Sequence, residues 1–407
     1  MTTSKTLIFA AALAAAPSAS YAGGFDLTGQ PIDIIFEEGN YIEGRIGIVA
    51  PNLEGNTPNL LSPAISGSTG NTADNTPFLT LGAKTDFTDR ISGAIIYDTP
   101  FLRETTYEQG LFEGTSARVE AQSLTALGRF KISDNFSIYG GPRIQSSRVD
   151  LQSQFARAPG PNPDNPAIPP GPIAPGSVPA FQIDVSEHDF GFVAGFAAEI
   201  PKFKVRAAVT YNSEITHDFD SVETFSQFVP AANAVFGQDV PGQFEVTTPQ
   251  SINVDLQAPL STSTLVRANI RWVNWDGVDF NPPQFAAIFG QPVVVYTDDT
   301  ITYRLTVAQR INDKLAAFVT GSYEEQGDEE ISLFKTTDGG YSIGGGVVVE
   351  PVEGLKLTLG GEYRRLFGIS GVQSPALIPA VAAGIDASSD FDDADVFAFS
   401  MKVGYSF

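Results

Sequence analysis

The feature that most constrains this chain is its carboxyl-terminal stretch, Ala394 to Phe407. Every second residue there is bulky and apolar, and the residues between are mostly small or polar. The apolar set is Phe397, Phe399, Met401, Val403, Tyr405 and Phe407. A strict period of two is the pattern of a β-strand whose two faces meet different solvents. A soluble sandwich strand also alternates, but bulky apolar side chains up to the very end of the chain favour a membrane barrel whose outer face meets lipid.

The same alternation begins at Tyr41 and recurs along the chain in pairs of strands joined by short and long connections in turn. The short connections are 88–90, 133–135, 201–203, 260–263, 312–314 and 352–354, and the long ones are 52–76, 101–116, 151–181, 217–246, 281–295, 327–338 and 370–390. This pattern predicts an all-β chain in which residues 41–407 form a 14-stranded antiparallel transmembrane β-barrel. The short turns then face the periplasm, and the long loops are extracellular.

The first residues read as a targeting segment. Lys5 precedes an apolar run, residues 7–16, and small residues lead up to Ala22. This is the pattern of a secretory signal peptide, because the run is only about half of the ~20 residues that a spanning helix needs. We therefore expect a signal peptide over residues 1–22 and a mature chain that begins at Gly23.

Residues 23–40 interrupt the alternation. Pro31 is suited to a first helical turn, Ile35 and Phe36 share a face with Ile32, and Gly39 can end the turn. We predict a short N-terminal hatch that enters the barrel lumen from the periplasmic side and restricts flow, with Gln30, Pro31, Ile35 and Phe36 as hatch or gating residues. The alternative is an ordered leader packed on the first strand.

The net charge and the positions of the charged residues limit the possible partners and the direction of side chains. The chain has 47 acidic and 24 basic residues, a net charge of −23, which disfavours nucleic acid as a partner. Because a charge aimed at lipid costs about 2–4 kcal/mol at the membrane midplane, charges at strand centres are expected to point into a polar lumen. They are Arg45, Lys84, Arg143, Arg206, Arg267, Arg271, Arg304, Arg310, Glu199, Asp255, Glu362 and Arg364.

No enzyme, cofactor or metal site is predicted. The two histidines, His188 and His217, have no serine or carboxylate at a spacing that suggests a triad. Acidic clusters at 324–330 and 390–395 lack the glycine-centred spacing of a calcium loop. They are interpreted as solvated loop ends near the divalent ions of lipopolysaccharide.

Three long loops are unexpectedly apolar. Phe225, Phe228 and Phe236 recur at helical spacing in the fourth long loop, and Phe285 and Phe289 follow two prolines in the fifth. The seventh holds another apolar group at residues 377–385. Exposed apolar patches require a partner, so these loops predict a groove for a hydrophobic ligand. The alternative is that the loops pack on one another over the barrel mouth.

Residues 248–285 and the segments 296–325 and 336–366 resemble the FadL/TodX (OMPP1) family of outer-membrane transporters for hydrophobic compounds. The matching motifs are Pro249-Gln250, Arg271-Trp272 with Trp275, Asp298-Asp299-Thr300 and Asp338-Gly339-Gly340. The resemblance implies a fourteen-stranded barrel with a hatch. It also implies passive transport of long-chain fatty acids or similar molecules from an external groove through a lumen site to a lateral exit, in the outer membrane of a Gram-negative bacterium.

A fatty acid needs an apolar trough with a cation at one end, since burying an unpaired anion is costly. The phenylalanines named above supply the trough, Arg271 is the first choice of cation and Arg304 the second. The alternative is that both arginines pair with Asp255 or Glu362 as structural lumen charges. Other functions left open are an aromatic-hydrocarbon channel, a general hydrophilic porin and a structural or adhesin barrel. The expected partners are a hydrophobic small molecule, outer-membrane lipid and lipopolysaccharide, and the chain is expected to be a monomer.

Overall fold

A computed structural model describes residues 26–57, 67–110, 112–153, 181–225, 239–289, 292–327, 334–373 and 388–407. The predicted signal peptide, 1–22, and the first three residues of the predicted hatch lie outside these ranges. So do the apolar residues 377–385 of the seventh loop.

Sixteen strand segments form one antiparallel sheet. They are β1 (Tyr41–Asn52), β2 (Thr76–Asp86), β3 (Ile91–Thr106), β4 (Ser116–Lys131), β5 (Phe136–Ser153), β6 (Phe181–Ile200), β7 (Val205–Asn212), β8 (Ile215–Phe225), β9 (Asp239–Thr248), β10 (Ser251–Pro259), β11 (Thr264–Val273), β12 (Thr300–Asn312), β13 (Leu315–Glu324), β14 (Thr337–Val349), β15 (Leu355–Gly368) and β16 (Ala394–Ser406). Consecutive segments pair with each other except β7 with β8 and β9 with β10; instead, β6 pairs with both β7 and β8, and β10 pairs with β7. β1 pairs with β16 from Tyr41–Ser406 to Asn52–Asp395, which closes the sheet.

Four of the segments are halves of longer strands. β7 and β8 are separated only by residues 213–214, and β9 and β10 only by residues 249–250. The pairing register is the same on both sides of the break, because Asn212 lies opposite Ser251 and Ile215 lies opposite Thr248. Pro249 has no backbone N–H to donate, which accounts for the interruption. The sixteen segments therefore make fourteen strands, and the predicted 14-stranded barrel is confirmed.

The strands differ greatly in length. β5 and β6 have 18 and 20 residues, whereas β11 and β13 have 10 each. Two predicted loops are shorter than the sequence suggested, because β3 continues to Thr106 and the hairpin of β8 and β9 occupies much of 217–246. The barrel wall is consequently higher on the β5–β9 side.

One neighbouring pair of strands separates at its outer end. β2 and β3 pair from Asp86–Ser92 to Leu81–Tyr97 and no further, although β2 extends to Thr76. β3 also shifts register against β4 between Asp98 and Phe101. Such a bulge bends a strand. The bend leaves the outer half of β2 without β3 as a ladder partner.

The two faces of the sheet follow the predicted alternation. On β16 the side chains of Phe397, Phe399 and Met401 are exposed, whereas Ala398, Ser400 and Lys402 are buried. The predicted lumen charges also lie on the inner face. Arg310 lies two residues before the end of β12 and donates to the backbone carbonyl of Thr262.

Residues 26–40, called here the N-terminal segment, contact the inner face of several strands. Its start pairs with β3 through the backbone. Asp26 forms an isolated antiparallel β-bridge with Phe101, and the Leu27 N–H donates to the Pro100 carbonyl at 2.7 Å. The predicted short helix is a single 3-10 turn, Asp33–Phe36. Another 3-10 turn, Pro201–Phe203, and helix α1, Pro283–Phe289, are also short, and the described residues contain no helix that is long and apolar enough to cross a membrane.

The lipid-facing assignment can be tested with lysine substitutions. Ile343 on β14 is 66% exposed among apolar neighbours, so Ile343→Lys should lower the free energy of unfolding in lipid vesicles by about 2–4 kcal/mol. Val222 on β8 is 54% exposed but is flanked on the same face by Asp220 and Thr224, so Val222→Lys should be nearly neutral. Equal losses for the two variants would contradict the assignment.

Candidate functional site

An aromatic cluster fills the outer end of the barrel. Phe101 packs edge-on against Trp275 with ring centroids 5.8 Å apart, and Trp275 lies 4.9 Å from Tyr296. Phe181 of β6 contacts Phe285 of α1 at 5.2 Å. Strand ends and the 274–299 loop thus share one apolar core at the barrel mouth.

Within this cluster lies a cavity of about 90 Å³, called here the outer cavity. β3, β4 and β5 line one side, and the loop between β11 and β12 lines the other. Its apolar lining comprises Phe101, Ala117, Val119, Ala121, Val149, Leu151, Val246, Val278, Phe280, Val293, Val294, Trp275, Tyr296 and Phe334. Because an apolar cavity of roughly 150 Å³ accepts benzene, a larger ligand must displace some of these side chains.

Two charged side chains border the outer cavity. Arg103 of β3 donates to the Thr336 hydroxyl at 3.1 Å and to Thr105 at 3.4 Å. Asp279 lies on the opposite side, and burial raises the pKa of its carboxyl group. The cavity therefore combines an apolar interior with one guanidinium and one carboxyl group at its edge.

Helix α1 is held against the outer hairpin by a buried carboxylate. Glu223 of β8 accepts hydrogen bonds from the N–H groups of Gln284 at 3.0 Å and Phe285 at 2.9 Å. The first N–H groups of a helix lack partners within it, so Glu223 caps α1. This contact fixes Phe285 in the aromatic cluster.

The predicted trough residues are partly described. Phe285 is buried in the cluster, and Phe289 is the last residue of α1. Phe225 is the last residue of β8 and pairs with Phe181 of β6, so it lies on a strand. The rest of the expected helical arrangement, residues 226–238, lies outside the described residues. Phe228 and Phe236 lie outside the described residues.

Both predicted ligand arginines form ion pairs within the protein. Arg271, 2% exposed, pairs through Nε with Asp26, and it also donates to Ser251 and Asn253 at 3.0 and 3.2 Å. Arg304 contacts Glu362 at 2.8 Å, which is one of the pairings left open from the sequence. The partner of Arg271 is therefore not Asp255, but a carboxylate of the N-terminal segment.

The predicted hatch residues lie among these charges. The Gln30 side-chain carbonyl accepts from Arg271 at 3.2 Å and from Ser251 at 2.9 Å. Ile35 is fully buried, and Pro31 faces a second cavity. The Phe36 ring stands 4.2 Å from the Arg206 guanidinium, 4.7 Å from that of Arg129 and 5.4 Å from Tyr139.

The second cavity, called here the inner cavity, has a volume of about 100 Å³ and a polar lining. It lies between the N-terminal segment and β1, β10, β11, β12 and β16. The charged residues that line it are Asp33, Glu43, Asp255, Arg45, Arg267, Arg271, Arg304 and Lys402. Asp33 binds Arg267 at 2.8 Å and Arg206 at 3.2 Å, and Asp255 binds Arg267 at 2.6 Å.

Sequence reasoning missed Asp26 and Arg103. Asp26 lies near the start of a segment with no strand pattern, and its partner is 245 positions away. Arg103 lies in a predicted loop, 101–116, and its direction depends on the bulge in β3. Among the described residues, no group of three or more His, Asp or Glu side chains is placed to hold a metal ion.

A sequence profile of the outer membrane protein transport protein family (OMPP1/FadL/TodX) matches residues 52–281. The chain belongs to this family. Membership confirms the resemblance, a location in the Gram-negative outer membrane, and transport of hydrophobic compounds as the general function of this FadL/TodX-family chain. No curated protein sequence matches it with significant similarity.

Solved structures support the fold at low identity. A Pseudomonas aeruginosa FadL homologue is 14% identical with a TM-score of 0.68, and the match covers 97% of this chain and 98% of that one. The toluene transporter TodX of Pseudomonas putida is 10% identical with a TM-score of 0.58, over 97% and 98% of the two chains. The toluene transporter TbuX of Ralstonia pickettii is 11% identical with a TM-score of 0.57, over 96% and 98%.

The contacts of Asp33 predict how the N-terminal segment of this FadL/TodX-family chain responds to acid. Burial opposes ionisation, but Arg267 and Arg206 hold the pKa of Asp33 below its ordinary value of 3.8. A carboxylate with a lowered pKa stabilises docking above the ordinary value, and this stabilisation is lost as the pH falls through the lowered pKa. The pKa of Asp26 moves the other way, because its complete burial outweighs Arg271.

We therefore expect Asp33→Asn to loosen the N-terminal segment at neutral pH, as acid does in the wild type. Removing one partner of a buried ion pair typically costs about 3–5 kcal/mol. The measurement is protease cleavage within residues 26–40 of the purified barrel at pH 7 and pH 3. Glu38→Gln is the matched control, since the Glu38 side chain is 67% exposed and 3.5 Å from Lys204. Equal cleavage of the two variants would contradict the role given to Asp33.

Proposed function

We propose that this protein takes up long-chain fatty acids by passive diffusion through the outer cavity. The observation that carries the proposal is a nearly continuous apolar lining with Arg103 at its edge. A fatty acid offers an apolar chain and one carboxylate, and a guanidinium can bind a carboxylate through two parallel hydrogen bonds. In this proposal the trough comprises Phe285 and Phe289 of α1, Phe225 at the end of β8, and Phe228 and Phe236 between β8 and β9.

Arg271 and Arg304 take a later place in the proposed route. Both lie by the inner cavity, where Asp26 and Glu362 already neutralise them. A ligand carboxylate would bind Arg271 by replacing the Asp26 carboxylate in its ion pair. The N-terminal segment, with Gln30, Pro31, Ile35 and Phe36 at its centre, is the proposed hatch that this exchange would move.

The proposed exit is the opening between β2 and β3. The ladder between them ends at Leu81–Tyr97, and residues 76–80 of β2 have no partner on β3. Thr80 and Asp98 still approach each other there, with oxygens 3.5 Å apart. An apolar ligand that leaves sideways enters lipid without crossing water, which its low solubility favours.

The outer cavity can be tested by filling it. Ala121 of β4 is 1% exposed and lines the cavity, so Ala121→Trp should lower oleate binding by tenfold or more, on the order of 1.4 kcal/mol. Ala126 on the same strand faces outward, and Ala126→Trp is the matched control. The measurement is oleate affinity of the purified protein by fluorescence. Unchanged affinity in Ala121→Trp would place the ligand elsewhere.

The carboxylate preference can be tested at Arg103. A hydrogen bond to a charged group contributes about 1.5–3 kcal/mol, so Arg103→Gln should weaken oleate binding roughly 10- to 100-fold and leave oleyl alcohol nearly unaffected. Arg118→Gln is the control, because Arg118 lies on the outer face and is 39% exposed. Equal losses for acid and alcohol would remove Arg103 from the carboxylate site.

A second candidate ligand is a small aromatic hydrocarbon. The outer cavity, at about 90 Å³, is small and is lined by Phe101, Trp275 and Tyr296. Aromatic rings pack favourably edge-to-face at centroid distances of roughly 4.5–7 Å. Tight toluene binding that is insensitive to Arg103→Gln, together with weak oleate binding, would favour this ligand over a fatty acid.

A further inference from the structure

The N-terminal segment is acidic throughout. Residues 26–40 contain four carboxylates and no lysine or arginine. Asp26 pairs with Arg271, and Asp33 with Arg206 and Arg267. Glu37 lies 3.7 Å from Lys356, and Glu38 lies 3.5 Å from Lys204. Each carboxylate of the segment therefore faces a cation of the barrel wall.

The wall that receives the segment is cationic, although the chain as a whole carries a net charge of −23. Within the described residues, the inner cavity and the side chains directly behind it bring together eight cations and four wall carboxylates. The cations are Arg45, Arg143, Arg206, Arg267, Arg271, Arg304, Arg364 and Lys402, and the carboxylates are Glu43, Asp98, Asp255 and Glu362. Asp26 and Asp33 of the segment offset part of this excess of four positive charges, whereas Glu37 and Glu38 face Lys356 and Lys204, which are not among the eight.

The excess is concentrated in a confined space. The wall of the barrel faces hydrocarbon, which has a low dielectric constant, so the field of the arginines is focused along the lumen. The Debye length is about 10 Å at 0.1 M salt, so lumen charges act on any ion that passes between them. Rings of arginine and lysine are the arrangement that makes a pore select anions.

We infer that this barrel has a second transport activity: when the N-terminal segment withdraws, the lumen conducts small anions in preference to cations. The route runs through the inner cavity, past Arg267 and Arg304, and ends at the periplasmic turns. It differs from the path of a hydrophobic ligand, whose outer cavity is apolar. The segment acts as the counter-charge of the closed lumen.

The experiment measures ion selectivity of the purified barrel in planar lipid bilayers. Deletion of residues 30–38 removes Asp33, Glu37 and Glu38 together. Under a gradient of potassium chloride near 0.1 M, the deleted barrel should conduct more than wild type and prefer chloride over potassium by roughly tenfold, the lower end of the enhancement found in charged clefts. The preference should fall in 1 M salt, where the Debye length is only about 3 Å.

Two further variants identify the source of the selectivity. In the deletion background, Arg267→Gln with Arg304→Gln should abolish most of the chloride preference. Lys131→Gln is the control for a cation at the exposed end of a strand, β4, and it should leave the preference in place. If the deletion impairs folding, shown by loss of heat-modifiable mobility on gels, the full-length Asp26→Asn, Asp33→Asn chain is measured instead.

The outcomes are decisive in either direction. A chloride preference that depends on Arg267 and Arg304 supports the inference. No conductance above wild type, a preference for potassium, or a chloride preference that survives both arginine substitutions would overturn it. None of these results depends on fatty acid binding, so the proposed uptake function stands or fails separately.

Discussion

The structure depends on hydrogen-bond closure between its first and last strands. Backbone N–H and C=O groups have no water to bond in hydrocarbon, so a spanning sheet must have no open edge. The pairing of β1 with β16, from Tyr41–Ser406 to Asn52–Asp395, removes that edge. Once the sheet is closed, each residue faces either lipid or lumen, and the alternation in the sequence decides which charges share the interior.

The charged side chains inside the closed barrel then need counter-charges. Arg271 is almost completely buried, and Asp26 supplies its counter-charge. Asp33 does the same for Arg206 and Arg267. The N-terminal segment is consequently specified by charge rather than by hydrophobic periodicity. Ile34, Ile35 and their neighbours add one apolar core to its position, and Leu27 packs in a second.

The period of two was sufficient to predict the strand number, the lipid face and the direction of most lumen charges. It failed where the period is broken. Up to Asp98, even-numbered residues of β3 point inward, but after the bulge the odd-numbered Arg103 and Thr105 do. The partner of Arg271 could not be predicted from strand pairing. Strand pairing points to Asp255, which lies on the adjacent strand, whereas the actual partner, Asp26, belongs to a segment that is distant in the sequence. The outer cavity is built by loops, whose packing leaves no periodic signal.

The unequal strand lengths give the barrel an oblique rim. β6 has ten residues more than β11, which at about 3.4 Å per residue is roughly 34 Å along the strand. On the low side, the loop that carries Trp275 and Tyr296 follows directly after β11. A solute that has adsorbed to the cell surface can therefore search for this loop in two dimensions, instead of descending into the mouth from the medium above.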